Sequence, residues 1–364
     1  MKKRVIFLIG TRPEAIKTAP VLLAFRESEC IESFILLSGQ HPQLPEAVLA
    51  SFGLRADKVL FPKRDGEGLT SFWATLLPLL EGALSELSPY ALFVHGDTAT
   101  AAVGALAAFH KHIPVVHIEA GLRTGCLDEP FPEELYRLLI DRIATLCFAP
   151  TERAKEQLLR EGKEPKRIFV TGNTAIDALR YTVRGDFTHP LLEAVGNRQL
   201  ILATMHRREG RGEPFRAVCR AIRRAAEEDA SLFFLFVTHP DPHLKEEAER
   251  LLSGCKRILL SPPLAHTVFQ NLLAHAFLLL TDSGGLEEEA CALGIKTLVL
   301  REKTEREEGF GGGCLIPVGR EEERLYRAIM RLSRLPRSRT PDPCFGDGHA
   351  AERIYTITKS FFFS

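Results

Sequence analysis

Short apolar runs separated by helical stretches recur along almost the whole chain, and that alternation admits few folds. Strands are expected at 5–9, 34–38, 91–95, 113–118, 145–148 and 167–170, with helices such as 75–87, 99–110, 133–143 and 151–161 between them. Runs that are apolar without alternating suit strands buried on both faces, so the series reads as βαβ units building a covered parallel sheet. A second series starts near Gln199, with strands at 199–204, 231–237, 257–260, 276–280 and 296–300 and helices near 213–227, 243–253 and 284–293. A chain of 364 residues with 45% hydrophobic content can bury two such cores. The polar stretch 184–198, which contains Gly and Pro, places the domain junction within 172–196.

Doubly wound sheets bind ligands beyond the C-terminal ends of their strands, so two of them facing each other would share a cleft there. The polar residues of this sequence gather at those ends. Strand 5–9 runs into Gly10-Thr11-Arg12-Pro13-Glu14-Ala15-Ile16-Lys17, where Gly10 turns the chain and Pro13 opens a helix. Backbone N–H groups at that helix start, beside Arg12 and Lys17, read as an anion pocket suited to phosphate; the alternative is an ordinary turn with two solvated cations. Asp97, Glu119, His206, His239 and Ser283 each follow a strand, and Glu133-Glu134 open the helix at 133–143. Simpler roles stand beside the chemical ones. Asp97 could cap the helix from Ala99, Glu133 and Glu134 could complement their helix dipole, and His206 could bond backbone in its loop. The Ser283-Gly284-Gly285 turn would let a diphosphate approach the helix start. Successive helix positions point about 100° apart, so of Glu287, Glu288 and Glu289 one would face a ligand while the others meet solvent.

Other functions are disfavoured. Lys+Arg and Asp+Glu balance at 47 each, so no global field recruits nucleic acid or an anionic membrane. Eight scattered cysteines without a CxxC argue for reduced thiols in a cytoplasmic protein rather than disulfides or zinc. The apolar stretch after Lys2-Lys3-Arg4 is too short for a secretory leader, and no membrane-spanning run occurs. Phe361-Phe362-Phe363 is expected to pack on a neighbouring surface. No GxGxxG, Walker A or HExxH motif is present, so neither a metal nor a cofactor is expected. Bare carboxylates suit proton transfer, and phosphate contacts suit holding a nucleotide diphosphate or stabilising it as a leaving group.

The segments Gly10 to Lys17, His95-Gly96-Asp97-Thr98, Glu119-Ala120-Gly121-Leu122-Arg123-Thr124-Gly125 and Pro132-Glu133-Glu134 together resemble the non-hydrolysing UDP-N-acetylglucosamine 2-epimerases. So do Thr171-Gly172-Asn173-Thr174, His206-Arg207-Arg208-Glu209, Thr281-Asp282-Ser283-Gly284-Gly285, Thr304-Glu305-Arg306 and Gly346-Asp347-Gly348, in the same order over nearly the whole chain.

That resemblance implies an α/β GT-B fold: two Rossmann-like doubly wound domains, 1–172 and 173–348, facing a central cleft, with a C-terminal helix at about 349–364 crossing back. It implies a homodimer that interconverts UDP-GlcNAc and UDP-ManNAc without a cofactor, by expelling UDP to give a 2-acetamidoglucal and adding it back. Asp97, Glu119, Glu133 and His206 are then the catalytic candidates. Arg12, Lys17, Arg137, His239, Ser283, Gly284, Gly285 and Arg306 would hold phosphates or sugar, Glu289 the ribose, and Phe269 the uracil. The sequence departs from the family pattern at Tyr136, Met205, Gly210, Pro42, Asp241 and Glu307, all beside the acid–base set. The alternatives are a hydrolysing enzyme giving ManNAc and UDP, an epimerase for a modified UDP-sugar, or a non-catalytic UDP-sugar sensor.

Overall fold

The computed structural model describes residues 2–41, 43–62, 68–128, 130–205, 210–301, 306, 308–337 and 339–363. The chain divides into two compact units, Met1–Ala178 with Gly346–Ser364 and Leu179–Phe345. The first holds strands β1 (Lys3–Ile9), β2 (Ile31–Leu37), β3 (Lys58–Val59), β4 (Ala91–His95), β5 (Val115–Ile118), β6 (Leu146–Ala149) and β7 (Ile168–Val170). The second holds β8 (Gln199–Thr204), β9 (Leu232–Val237), β10 (Ile258–Ser261), β11 (Leu278–Thr281), β12 (Lys296–Val299) and β13 (Leu315–Pro317). All pairings are parallel, in the orders β3-β2-β1-β4-β5-β6-β7 and β10-β9-β8-β11-β12-β13.

Each order reverses once, between β1 and β4 and between β8 and β11. Those are the points where such sheets open a crevice beyond their strand ends. The segments that leave these four strands begin at Gly10, Gly96, Met205 and Asp282, so topology delivers the polar turns to the two switch points.

Strand alternation splits each core in two. In β1, Ile6 and Leu8 join one apolar layer with Leu92 and Val94, whereas Val5, Phe7 and Ile9 join the other with Phe93. Phe7 stacks on Phe93 at 4.5 Å and meets Phe25 edge-on at 5.3 Å. The Ala99–His110 helix lies close on its sheet because Gly104 lacks a side chain; a Cβ there would sit 2.1 Å from Leu8 Cδ2.

The C-terminal helix, Ala350–Phe363, packs on the first unit. Ala351 N–H donates to Asp177 Oδ1 at 2.7 Å, and Tyr355 meets Phe25 at 5.1 Å. Phe362 and Phe363 pack on Tyr90, over which Lys3 also sits at 4.3 Å. Three elements differ from the sequence expectation. The edge strands β3 and β13 are two and three residues long, too short to give a periodic signal. The helix expected at 75–87 begins at Leu69, directly after Gly68 at φ +104°. Among the described residues no helix is long and apolar enough to cross a membrane.

Candidate active site

In the first unit the Gly10 turn is closed by its own helix. Thr11 caps the Arg12–Arg26 helix, and Glu14 reaches back so that its Oε2 accepts the N–H groups of Gly10 at 2.9 Å and Thr11 at 2.6 Å. This capping box places these two donors on an internal carboxylate. Gly10 is needed for close approach: a Cβ there would lie 2.0 Å from Thr100 Oγ1 and 2.7 Å from Ser38 Oγ. Glu14 Oε1 accepts the Thr98 hydroxyl at 2.6 Å, tying this turn to the one that carries Asp97. Burial raises the Glu14 carboxyl from its ordinary 4.5 to about 7, against the opposing effect of its hydrogen bonds.

Asp97 does not cap the next helix; Thr98 does, accepting Ala101 N–H at 3.0 Å. Asp97 Oδ2 instead takes Arg137 Nε at 2.7 Å and a terminal guanidinium nitrogen at 2.6 Å. Arg137 also reaches Glu134 Oε2 at 3.1 Å, and Glu134 accepts the N–H groups of Thr124 and Gly125. Of the Glu133-Glu134 pair, Glu134 is thus the structural member. Among the described residues Glu133 Oε2 is enclosed without a hydrogen-bond partner. Tyr136 is buried and its ring lies 5.5 Å from that of Trp73; burial raises its phenol and Glu133 adds to the rise.

Glu119 sits in left-handed backbone at φ +70°, rare for a residue with a side chain. Its Oε1 accepts Lys17 Nζ and, at 3.3 Å, Asn173 Nδ2, while Oε2 lies 3.8 Å from His95 Nδ1. Burial first, and then the charge of Lys17, keep His95 down at about 3, against the raising effect of Glu119, so its ring is neutral. Gly96, at φ +65°, leaves room for that carboxylate, since a Cβ there would stand 3.2 Å from Glu119 Oε2. The structure therefore pairs Lys17 with Glu119 and Arg137 with Asp97. Arg12 is exposed in the first helical turn and makes no ion pair with a described residue.

In the second unit Ser283 precedes the Gly284–Ala292 helix, and its N–H donates to Thr281 Oγ1 at 3.1 Å. Arg306 presses on Gly284, where a Cβ would fall 2.9 Å from the guanidinium, and its Nε donates to Glu288 Oε1 at 3.0 Å. A Cβ on Gly285 would meet open space. Glu287, Glu288 and Glu289 are all buried, which corrects the expectation that two of them meet solvent. The helix is covered on several sides, and the Arg306–Glu288 ion pair holds one of the three. His239 Nδ1 accepts Asp241 N–H at 2.9 Å, so its proton lies on Nε2, and Asp241 caps the Pro242–Leu252 helix. Phe269 is half-buried against the apolar layer that includes Leu235 and Leu272. His206 lies outside the described residues, as do Pro42, Thr304, Glu305 and Glu307.

Glu14, Asn173, Glu288 and the buried pair His117–Asp141 are part of these arrangements although they were not among the site candidates. Glu14 was signalled by Thr11-x-x-Glu14, a capping-box spacing. His117 was signalled only by a polar residue inside an apolar strand.

Two Rossmann-like α/β units with polar turns at both switch points define the class as GT-B-type enzymes. The family model for UDP-N-acetylglucosamine 2-epimerase matches residues 23–359. The UDP-N-acetylglucosamine 2-epimerase of Bacillus subtilis (strain 168) is 42% identical over 360 residues, 97% of this chain and 94% of that protein. A crystal structure of a putative UDP-N-acetylglucosamine 2-epimerase from Listeria monocytogenes matches with TM-score 0.90 at 39% identity, covering 100% of this chain and 97% of that one. The UDP-GlcNAc 2-epimerase from Neisseria meningitidis, solved bound to UDP-GlcNAc, matches with TM-score 0.90 at 33% identity, covering 98% and 100%. The chain belongs to the UDP-N-acetylglucosamine 2-epimerase family, a family of isomerases.

Proposed function

We propose that this protein interconverts UDP-GlcNAc and UDP-ManNAc through elimination and re-addition of UDP, with Asp97, Glu119, Glu133 and His206 as the catalytic groups. The sugar C2 proton is not beside a carbonyl, so direct deprotonation is prohibitively slow. Expelling UDP from C1 creates an oxocarbenium-like centre, a carboxylate then removes the C2 proton, and the product is a 2-acetamidoglucal. Protonation at C2 from the opposite face with return of UDP gives the epimer. Two opposed faces call for more than one acid–base group.

The observation that carries this reading is the set of three carboxylates following β4 and β5, each held differently. Asp97 is clamped by Arg137, Glu119 is paired with Lys17 under a neutral His95, and Glu133 keeps an enclosed oxygen without a partner among the described residues. A protein that only sensed the nucleotide would need phosphate contacts and no such set. Arg12, Lys17 and Arg137 serve the sugar phosphate in this reading. Ser283, Gly284, Gly285, Arg306 and His239 hold phosphates or sugar, Glu289 the ribose, and Phe269 the uracil. The reading further includes a cytoplasmic homodimer that uses no cofactor, with domains at 1–172 and 173–348 and the helix at about 349–364 returning to the first domain.

The test is exchange of the C2 proton for solvent deuterium in variants Asp97→Asn, Glu119→Gln and Glu133→Gln. Each is expected to lose about 10²- to 10⁴-fold in exchange rate. Exchange at the parental rate in all three would overturn the assignment.

A further inference from the structure

His117 lies within β5, completely buried, and both of its ring nitrogens face acceptors. Nε2 stands 2.8 Å from the carbonyl oxygen of Gly96 and Nδ1 stands 2.6 Å from Asp141 Oδ1. A carbonyl oxygen can only accept, so Nε2 carries a hydrogen. Asp141 is ionised: its Oδ2 accepts Gly121 N–H at 3.1 Å and Arg123 at 2.7 Å. An ionised carboxylate also only accepts, so Nδ1 carries a hydrogen too and the ring is an imidazolium.

The groups around the ring agree with that charge. From β4 comes His95, neutral; from β6 comes Cys147, the neighbour of His117 in the sheet, whose thiol burial pushes up to about 12. From the Glu133–Ile143 helix comes Asp141, whose backbone carbonyl takes Lys163 Nζ at 2.7 Å. Beyond Asp141 the charges alternate, Arg123 forming a two-pronged pair with Glu161 at 2.9 and 2.7 Å.

We propose that His117 is a positioning residue, a buried imidazolium strut that fixes both turns carrying the acids Asp97 and Glu119. The Gly96 carbonyl belongs to the peptide plane that contains the Asp97 nitrogen, so one ring N–H sets the start of the Asp97 turn. Through Asp141 the other sets Gly121, two residues beyond Glu119. Glu119 itself holds a strained left-handed backbone that persists only when its surroundings enforce it. His117 is completely buried and acts by keeping two carboxylates in register, where a 1 Å error costs about 10²-fold in rate.

This role rests on the epimerase reading, whereas the imidazolium does not, and the test separates them. In the wild-type protein, nitrogen-15 spectra of the ring are expected to show both nitrogens protonated at neutral pH. A neutral ring would overturn the strut whatever reaction the protein performs. His117→Gln keeps two N–H donors and His117→Met keeps comparable bulk with none. The Met variant is expected to lose about 100-fold in kcat for C2 exchange and the Gln variant to recover at least tenfold of it. UDP affinity should stay within twofold in both. Equal kcat per folded molecule in Met, Gln and wild-type proteins would overturn the positioning role. Should the Met variant fail to fold, His117→Gln at the wild-type rate with a protonated wild-type ring supports the strut. His117→Gln reduced 100-fold contradicts it.

Discussion

Replacing Glu14 with Gln separates a carboxylate's hydrogen bonds from its charge, and the structure sets the size of the effect. The Glu14 carboxyl is pushed from 4.5 to about 7 by burial, a rise of about 2.5. At roughly 1.36 kcal/mol per pH unit, that rise corresponds to about 3 kcal/mol of linkage. The sign follows from proton binding. Between pH 4.5 and 7 the folded protein holds a proton that the unfolded chain releases, so the Glu14 contribution is most favourable below 4.5 and is lost as pH rises through 7. Gln does not titrate, and its amide can satisfy the same partners, its oxygen facing Gly10 and Thr11 and its NH₂ facing the Thr98 hydroxyl. Moving from pH 8 to pH 5, the wild-type protein should gain roughly 2.5 kcal/mol relative to Glu14→Gln. Urea unfolding followed by Trp73 fluorescence reads this directly, since Trp73 is the single tryptophan and belongs to the first unit. A stability difference that stays constant over this range would refute the reasoning.

Further outcomes follow from the same geometry. Gly10→Ala forces a methyl to within 2.0 Å of Thr100 Oγ1 and should destabilise the first unit by about 1–3 kcal/mol in the same unfolding assay. Arg306→Met removes the cation that Glu288 faces and should weaken UDP binding, read by calorimetry, by about tenfold or more, as expected for a charge-assisted contact. Thiol titration of the native protein should show one fast cysteine, Cys126, because it alone is exposed. Cys147 and Cys219 should react only on unfolding, since burial pushes both thiols up to about 12.

The βαβ pattern was legible because parallel strands buried on both faces are written as unbroken apolar runs. The expected 199–204 strand and the 99–110 and 133–143 helices coincide with β8, Ala99–His110 and Glu133–Ile143. What resisted reading was the use made of each polar group. Glu14 looked like part of a phosphate turn, yet its reach back to Gly10 and Thr11 closes that turn from within. Asp97 and Thr98 compete for one capping position, and only the Arg137 guanidinium, forty residues away, decides that Thr98 takes it. Glu287 to Glu289 looked half-solvated because helix periodicity carries no information about what covers a short helix on its other sides. His117 and Asp141 are 24 residues apart, and nothing local joins them.

The central claim is tested most directly by proton NMR of the purified protein with UDP-GlcNAc in D₂O, following the C2 position and the anomeric signals. The account predicts deuterium entering at C2 while UDP-ManNAc grows to a stable mixture with UDP-GlcNAc. Accumulation of free ManNAc and UDP, or nucleotide binding with no exchange at C2, would contradict it.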